Sequence, residues 1–449
     1  MCSDRTKDLL RRDVEHFFHP ISVVGQAPRV IWERGKASQL WDTTGKQYTD
    51  MCSGGVHCCN LGHGRNELND AACEQMQKLS FIFSASPSTN TQAIEYAEEL
   101  AQVLPGDLNH VYFANTGTQS NEVAIQIVRF YWQLHDQPDK YKIICLNRSW
   151  HGSSPLTASF RGGMPSFGRE YPGIVRIPNY HCHQCPFDLS YPSCGIQCAK
   201  WLEKVIDQEG EQFIACMIAE PVLGAGGVIW PPDEYWPIVR DICTRRNVLL
   251  IDDEVMAGFC RSGKMFTIQH WNIVPDLMTM GKGINSNYLP LAAVGVSDRI
   301  HKDLEGKRFP GVSTSDANPA CVATARAALK IYVDEDLADR TAKLGIHLHE
   351  RLVKEFLPLQ CVDDVLGKGL FQSFEIALNK TTGSDYNLKA AEEARETIYY
   401  QCMERGVFSS RYDGYPSRQP VCPSCIISED ELDSAVDIML SVIKEIKPV

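Results

Sequence analysis

Six short apolar runs constrain this chain more than any other feature: HVYFAN, KIICLN, FIACMIAEPV, NVLLIDDEV, DLMTMG and LAAVGVS, spread between about residues 110 and 300. Several are continuously apolar rather than alternating, the pattern of strands covered on both faces. Helical stretches such as QSNEVAIQIVRFYWQL and DEYWPIVRDICTRR lie between some of them. Strands alternating with helices demand an α/β layer with a mostly parallel sheet. Such sheets bind ligands beyond the carboxyl ends of their strands, so chemistry is sought where each run stops.

The flanks read differently. RVIWERG and SQLWDTTGKQYTDM are strand-like, and Thr44-Gly45 suits a hairpin turn inside the second. NTQAIEYAEELAQVL has helical spacing and is stopped by Pro105-Gly106. From residue 319 onward, PACVATARAALKIYV, DLADRTAKLGIHLHERLVKEF, LKAAEEARETIYYQCMERG and EDELDSAVDIMLSVIKEI read as amphipathic helices, with VLGKGLFQSFEIAL as a strand. The expected division is 1–60, a segment joining the small domain; 61–318, the large domain; and 319–449, a smaller α+β domain.

Composition removes several functional classes. A 44% hydrophobic, 22% charged chain is neither collagen-like nor disordered. Its net charge of −12 offers no footprint for nucleic acid or an anionic membrane. No run is long and apolar enough to span a bilayer. MCSDRTKDLLRRDVEHFFHP lacks an apolar signal-peptide region, so the eighteen cysteines are expected to be reduced thiols of a cytoplasmic protein.

Four features stand at strand ends. Asn115-Thr116-Gly117-Thr118 opens a helix, and a Gly-Thr turn there offers N–H groups and a hydroxyl to an anion, or simply a cap. Trp150, in SWHG, can lay its indole over a flat ligand or fill a core. Asp252, Asp253 and Glu254 put three carboxylates at the end of an apolar strand, where burial is costly without partners. Lys282, between two glycines, is a candidate amine for covalent catalysis. Together these are the parts that hold pyridoxal phosphate: an anion site, a stacking face, a carboxylate for the ring nitrogen and an amine for the aldehyde.

FANTGTQSNE, SWHGSS, AEPVLGAGGV, LLIDDEVMAGFCRSGKMF, PDLMTMGKGI and YLPLAAV resemble the class III aminotransferases of fold type I, over essentially the whole chain. The resemblance implies pyridoxal 5'-phosphate as cofactor, a mostly parallel large domain, a smaller α+β domain built from both termini, and a homodimer or higher oligomer. It implies that Lys282 is the Schiff-base lysine, that Asp253, 29 positions earlier, pairs with the pyridine nitrogen, and that Val255 packs under the ring. It assigns Trp150 as the aromatic platform and Gly117 and Thr118 as the phosphate pair. Thr314, in GVSTSDANPA, matches a threonine that reaches the partner subunit's phosphate, although the wording around it departs from the family's. The implied reaction is a ping-pong transfer from an amine donor to a 2-oxo acid, with the freed Lys282 amine moving the α-proton.

Substrate choice rests on fewer residues. Relatives acting on 4-aminobutyrate or ornithine carry Glu where this chain has Ala225, so it resembles the ω-amino acid:pyruvate branch, which includes taurine and β-alanine transaminases. His57 falls at a pocket position of that branch; it either holds a sulfonate or carboxylate or packs at the dimer interface. Phe18 is a second pocket candidate, and Arg411 and Arg418 are candidate carboxylate ligands. A 2,2-dialkylglycine decarboxylase shares the Ser-Trp-His-Gly wording, but Gly54-Gly55-Val56 lacks the glutamine that enzyme uses. Cys182, Cys185, Cys194 and Cys198 have spacings compatible with zinc or an iron–sulfur cluster, the alternative from a different functional class. The transaminase reading needs no metal.

Overall fold

In the computed structural model, residues 4–85, 87–161, 168–377, 388–411 and 417–446 are described. A seven-stranded sheet runs through the larger part, in the order His110–Ala114, Ala292–Val296, Leu277–Met280, Leu249–Asp253, Ile214–Ala219, Lys142–Leu146 and Ile174–Ile177. Only Ala292–Val296 runs against its neighbours; the pairs from Leu277–Met280 to Ile174–Ile177 are all parallel. The apolar runs are continuous because both faces are covered. On Lys142–Leu146, Ile143 and Cys145 join one core with Val128 and Trp132 of helix Gly117–Leu134. Ile144 and Leu146 join the other core, with Leu202 and Trp236. Each such Ile or Leu contributes roughly 1.5–3 kcal/mol on burial.

The smaller part has its own core, including Leu348, Phe356, Phe374, Ile398 and Met439. VLGKGLFQSFEIAL, expected as one strand, is two: Val362–Lys368 and Phe371–Ile376 pair as an antiparallel hairpin, with Gly369 in the left-handed region at its turn (φ +56°). Arg418–Val421 adds a third strand. At the other end of the chain, Trp32–Lys36, Gln39–Asp42 and Gln47–Asp50 form a meander, and Val407–Phe408 joins it in parallel. N- and C-terminal segments therefore share a sheet. Helix Pro319–Asp334 buries Val322, Ala325 and Leu329 in the same core as Tyr96 and Leu100 of helix Thr91–Ala101. No described helix is long and apolar enough to cross a membrane.

Candidate active site

Five strand ends on one edge of the large sheet deliver the walls of a cavity of about 300 Å3. Asn115–Thr118 follow His110–Ala114, Trp150–Gly152 follow Lys142–Leu146, and Glu220 follows Ile214–Ala219. Asp253 closes its own strand, and Lys282 follows Leu277–Met280.

At the first of these ends, Thr116 Oγ1 accepts the Gln119 N–H at 3.2 Å and caps the helix Gly117–Leu134. Gly117 and Thr118 therefore fall in the first turn, where N–H groups lack intrahelical acceptors and the dipole favours an anion. Neither neighbouring backbone tolerates a side chain. A Cβ on Gly117 would lie 2.7 Å from Val255 Cγ1, and one on Gly152 would lie 2.6 Å from Thr118 Oγ1. A Cβ on Gly281 would lie 3.2 Å from the same Val255 Cγ1 and 3.7 Å from Gly117 Cα, so two adjoining bare backbones cover that methyl.

Asp253 is buried and collects three donors. Its Oδ2 lies 2.6 Å from His151 Nδ1 and accepts Asn121 Nδ2–H at 2.8 Å, while Oδ1 accepts the Val255 N–H at 3.0 Å. Thr279 Oγ1 in turn donates to Asn121 Oδ1 at 2.7 Å. His151 Nε2, on the far side of its ring, is buried without a hydrogen-bond partner among the described residues.

Burial shifts the neighbouring acids upward. Burial, with Glu254 and Asp253 adding, pushes Asp252 well above the usual carboxylate range. Burial also pushes Glu254 up to about 8 and Glu220 up to about 7. Glu220 accepts the N–H groups of Trp150 and Gly224, both at 2.9 Å. Burial therefore favours the neutral form of all three acids around Asp253.

Lys282 stands on a short turn, Lys282–Asn285, with a left-handed backbone (φ +42°). Tyr332 Oη donates to Gly283 O at 2.7 Å, and Asn287 N–H to Lys282 O at 3.0 Å, fixing that turn from two sides. A pyridoxal phosphate fits this donor set: anion-binding N–H groups at a helix start, a buried carboxylate for a protonated ring nitrogen, and a lysine in one cavity. The missing Cβ atoms of Gly117 and Gly152 keep the space open.

The structure brings together Gly117, Thr118, Trp150, Asp253, Val255 and Lys282. It keeps the other expected residues out of this cavity. Phe18 is 75% exposed near the N-terminus, and Thr314 is exposed on a loop that Asp316 fastens to Tyr112, Asn115 and Gln119. His57 is buried but does not line the cavity. Arg411 pairs with Glu396 at 2.6 Å. Arg418 is fully buried, its Nη1 2.8 Å from both Asp364 and Glu375, and it also donates to Gly227 O and Ser373 Oγ. That guanidinium is committed inside the protein rather than offered to a substrate carboxylate.

Sequence reasoning gave no role to His151, Asn121, Glu220 or Arg161. The last lies 3.5 Å over the Trp150 ring and donates to Gly152 O and Ser153 Oγ, fixing the indole from behind. Glu220 carried the same signal as Asp253, an acid ending an apolar run. The four cysteines at 182, 185, 194 and 198 are free thiols around one small pocket. Among the described residues they do not converge as metal ligands; the sets that do are His181–Asp364–Glu375, already joined by Arg418, and His347–Glu429–Asp433.

Comparison with known proteins agrees with this geometry. The family model for class III aminotransferases matches residues 21–443. A putrescine–pyruvate aminotransferase of Pseudomonas aeruginosa is 35% identical over 358 residues, 78% of each chain. A taurine–pyruvate aminotransferase of Bilophila wadsworthia is 30% identical over 442 residues, covering 96% of this chain and 95% of that enzyme. The crystal structure of a thermostable (S)-enantioselective omega-transaminase from Thermomicrobium roseum superimposes with a TM-score of 0.91 at 32% identity, covering 98% of both chains.

Proposed function

The chain belongs to the class III aminotransferases, a pyridoxal-phosphate-dependent family, and from that premise we propose that it moves the terminal amino group of an ω-amino acid, of the taurine or β-alanine type, to pyruvate. Ala225 in the cavity wall carries this reading, because it leaves room where a carboxylate would otherwise stand. A taurine–pyruvate relative aligned over nearly the whole chain supports it. A diamine donor is the second reading. It is favoured by a cavity lining in which Lys282 is the sole Lys or Arg among the described residues, and by the putrescine–pyruvate relative.

In this proposal each residue has a defined task. The first-turn N–H groups of Gly117 and Thr118 bind the phosphate end of the cofactor. Trp150 and Val255 bound the slot for its ring, and Arg161 holds the Trp150 plane. Asp253 keeps a proton on the ring nitrogen, while His151 and Asn121 hold its carboxylate in place. When bound, the cofactor supplies a carbonyl for the donor amine and a ring that spreads the charge left by proton loss. Lys282 Nζ would take the proton from the donor carbon and return it on the far side of the amine nitrogen, a 1,3-shift in which it acts as base and then acid. Thr314 reaches the phosphate of a second copy in a homodimer.

Visible absorption of the holoenzyme tests the donor. Bleaching by taurine or β-alanine, restored by pyruvate, is the expected result. Bleaching by putrescine alone would select the diamine reading.

A further inference from the structure

We propose that Cys58 and Cys59 are a peroxide-sensitive dithiol: a hydroperoxide oxidises the pair to a vicinal disulfide, which reversibly shuts off the adjoining active site. The two sulfurs lie 3.8 Å apart, in the turn that follows Gly54 and Gly55. Both glycines have left-handed backbones (φ +78° and +92°), as do Ser53 and His57. A Cβ on Gly54 would lie 2.7 Å from Cys59 Sγ and 3.4 Å from Cys58 Sγ. Gly54 is exposed, so a bare backbone is the cover over both sulfurs on that side. Cys58 is itself buried and Cys59 half-buried.

The pair is chemically unequal. The contact with Cys59 lowers the Cys58 thiol against the effect of burial. The same contact pushes Cys59 upward. With the sulfurs in contact, one serves as the nucleophile and its neighbour as the resolving thiol. The thiolate of the first attacks one peroxide oxygen, the O–O bond breaks, and the departing oxygen leaves as an alcohol or water. The neighbouring sulfur then attacks the resulting sulfenic acid, the S–O bond breaks, and water leaves. Two thiols are oxidised to one disulfide and one hydroperoxide is reduced; a dithiol reductant reverses the change.

The consequence for the active site follows from what comes next in the chain. Asn60 Nδ2 donates to Phe259 O at 2.8 Å, and a Cβ on Gly283 would lie 2.7 Å from that same nitrogen. Leu61 N–H donates to Ser286 Oγ at 2.9 Å. The turn bearing Lys282 thus rests directly on residues 60 and 61. Closing the sulfurs from 3.8 Å to a bond of about 2.05 Å re-aims the 58–59 peptide and what leans on it.

The test treats holoenzyme with hydrogen peroxide, alkylates the remaining thiols, and maps the peptide spanning residues 58 and 59. The expected result is an unalkylated peptide lighter by two hydrogens, appearing in step with at least a tenfold fall in turnover. Dithiothreitol restores both. Cys59→Val keeps the reduced-state turnover and loses the reversible inhibition. The proposal is overturned if both thiols remain alkylatable while activity falls, if the disulfide forms with turnover intact, or if Cys59→Val is inhibited and rescued like the parent. The peptide mass reads the disulfide whatever the donor amine proves to be.

Discussion

His151 Nδ1 lies 2.6 Å from Asp253 Oδ2, with both side chains buried, and this contact joins the ends of two strands that are not neighbours in the sheet. Carboxylate and imidazole hold each other in one orientation. The histidine stands between the aromatic platform and the acid, so three site residues depend on one hydrogen bond. Asp253→Asn keeps the size of the side chain and removes its charge. Turnover is expected to fall on the order of 100-fold with the cofactor still bound. Single-turnover absorbance changes check this, and an unchanged rate would remove Asp253 from its assigned role.

Lys282→Arg preserves a cation on the same turn but cannot release its proton near neutral pH. Loss of the acid–base step is expected to cost about 1,000-fold or more in turnover. Melting temperature is expected to stay close to the parent's, because the hydrogen bonds that fix the turn are made by Tyr332 and by backbone.

Gly117→Ala places a methyl group 2.7 Å from Val255 Cγ1, closer than carbon atoms pack. Weaker cofactor affinity is expected, read by equilibrium dialysis. Adding Val255→Ala should recover part of it, because the three nearest atoms to the new methyl all belong to that side chain. If the double variant binds no better than the single one, the clash is not the cause.

Arg418→Met removes one partner from a buried ion cluster and strands Glu375, whose carboxyl is held at about 2 in spite of burial by His181 and Arg418. Breaking such a pair costs about 3–5 kcal/mol. A large drop in denaturation midpoint is expected, with KM for pyruvate unchanged in the folded fraction. A KM effect without destabilisation would return Arg418 to the substrate site.

Glu220 sets a pH dependence. Its folded value of about 7 stands above the roughly 4.3 of an unfolded glutamate. The folded protein binds that proton more tightly, so the contribution is complete below about pH 4.3 and is lost as pH rises through 7. In that window the group lowers stability by about 1.4 kcal/mol per pH unit. Glu220→Gln should flatten the fall in melting temperature between pH 5 and pH 8; an unaltered slope would assign it to Asp252 and Glu254.

The sheet was legible because burial on both faces leaves a direct mark, an unbroken apolar run. Residues that line the cavity, such as Gly117, Trp150, Asp253 and Lys282, were legible because each stands at or just past the end of such a run. Arg418 was not: its partners Asp364 and Glu375 lie on the hairpin Val362–Lys368/Phe371–Ile376, which reads as a single strand when its turn at Gly369 is missed. A lone arginine then looks available. His151 and Asn121 were hidden for a related reason. Their partner Asp253 is more than a hundred positions away, and periodicity carries no information about contacts at that separation.

Val255, whose Cγ1 methyl lies under the adjoining backbones of Gly117 and Gly281, links three chain segments whose residues never meet in sequence. Its floor height is set by atoms that are missing from both neighbours. A larger side chain at any of the three positions is therefore acceptable only after a smaller one has appeared at another. For anyone reshaping this pocket, the three positions behave as a single locus, and libraries that vary them one at a time will sample mostly dead ends.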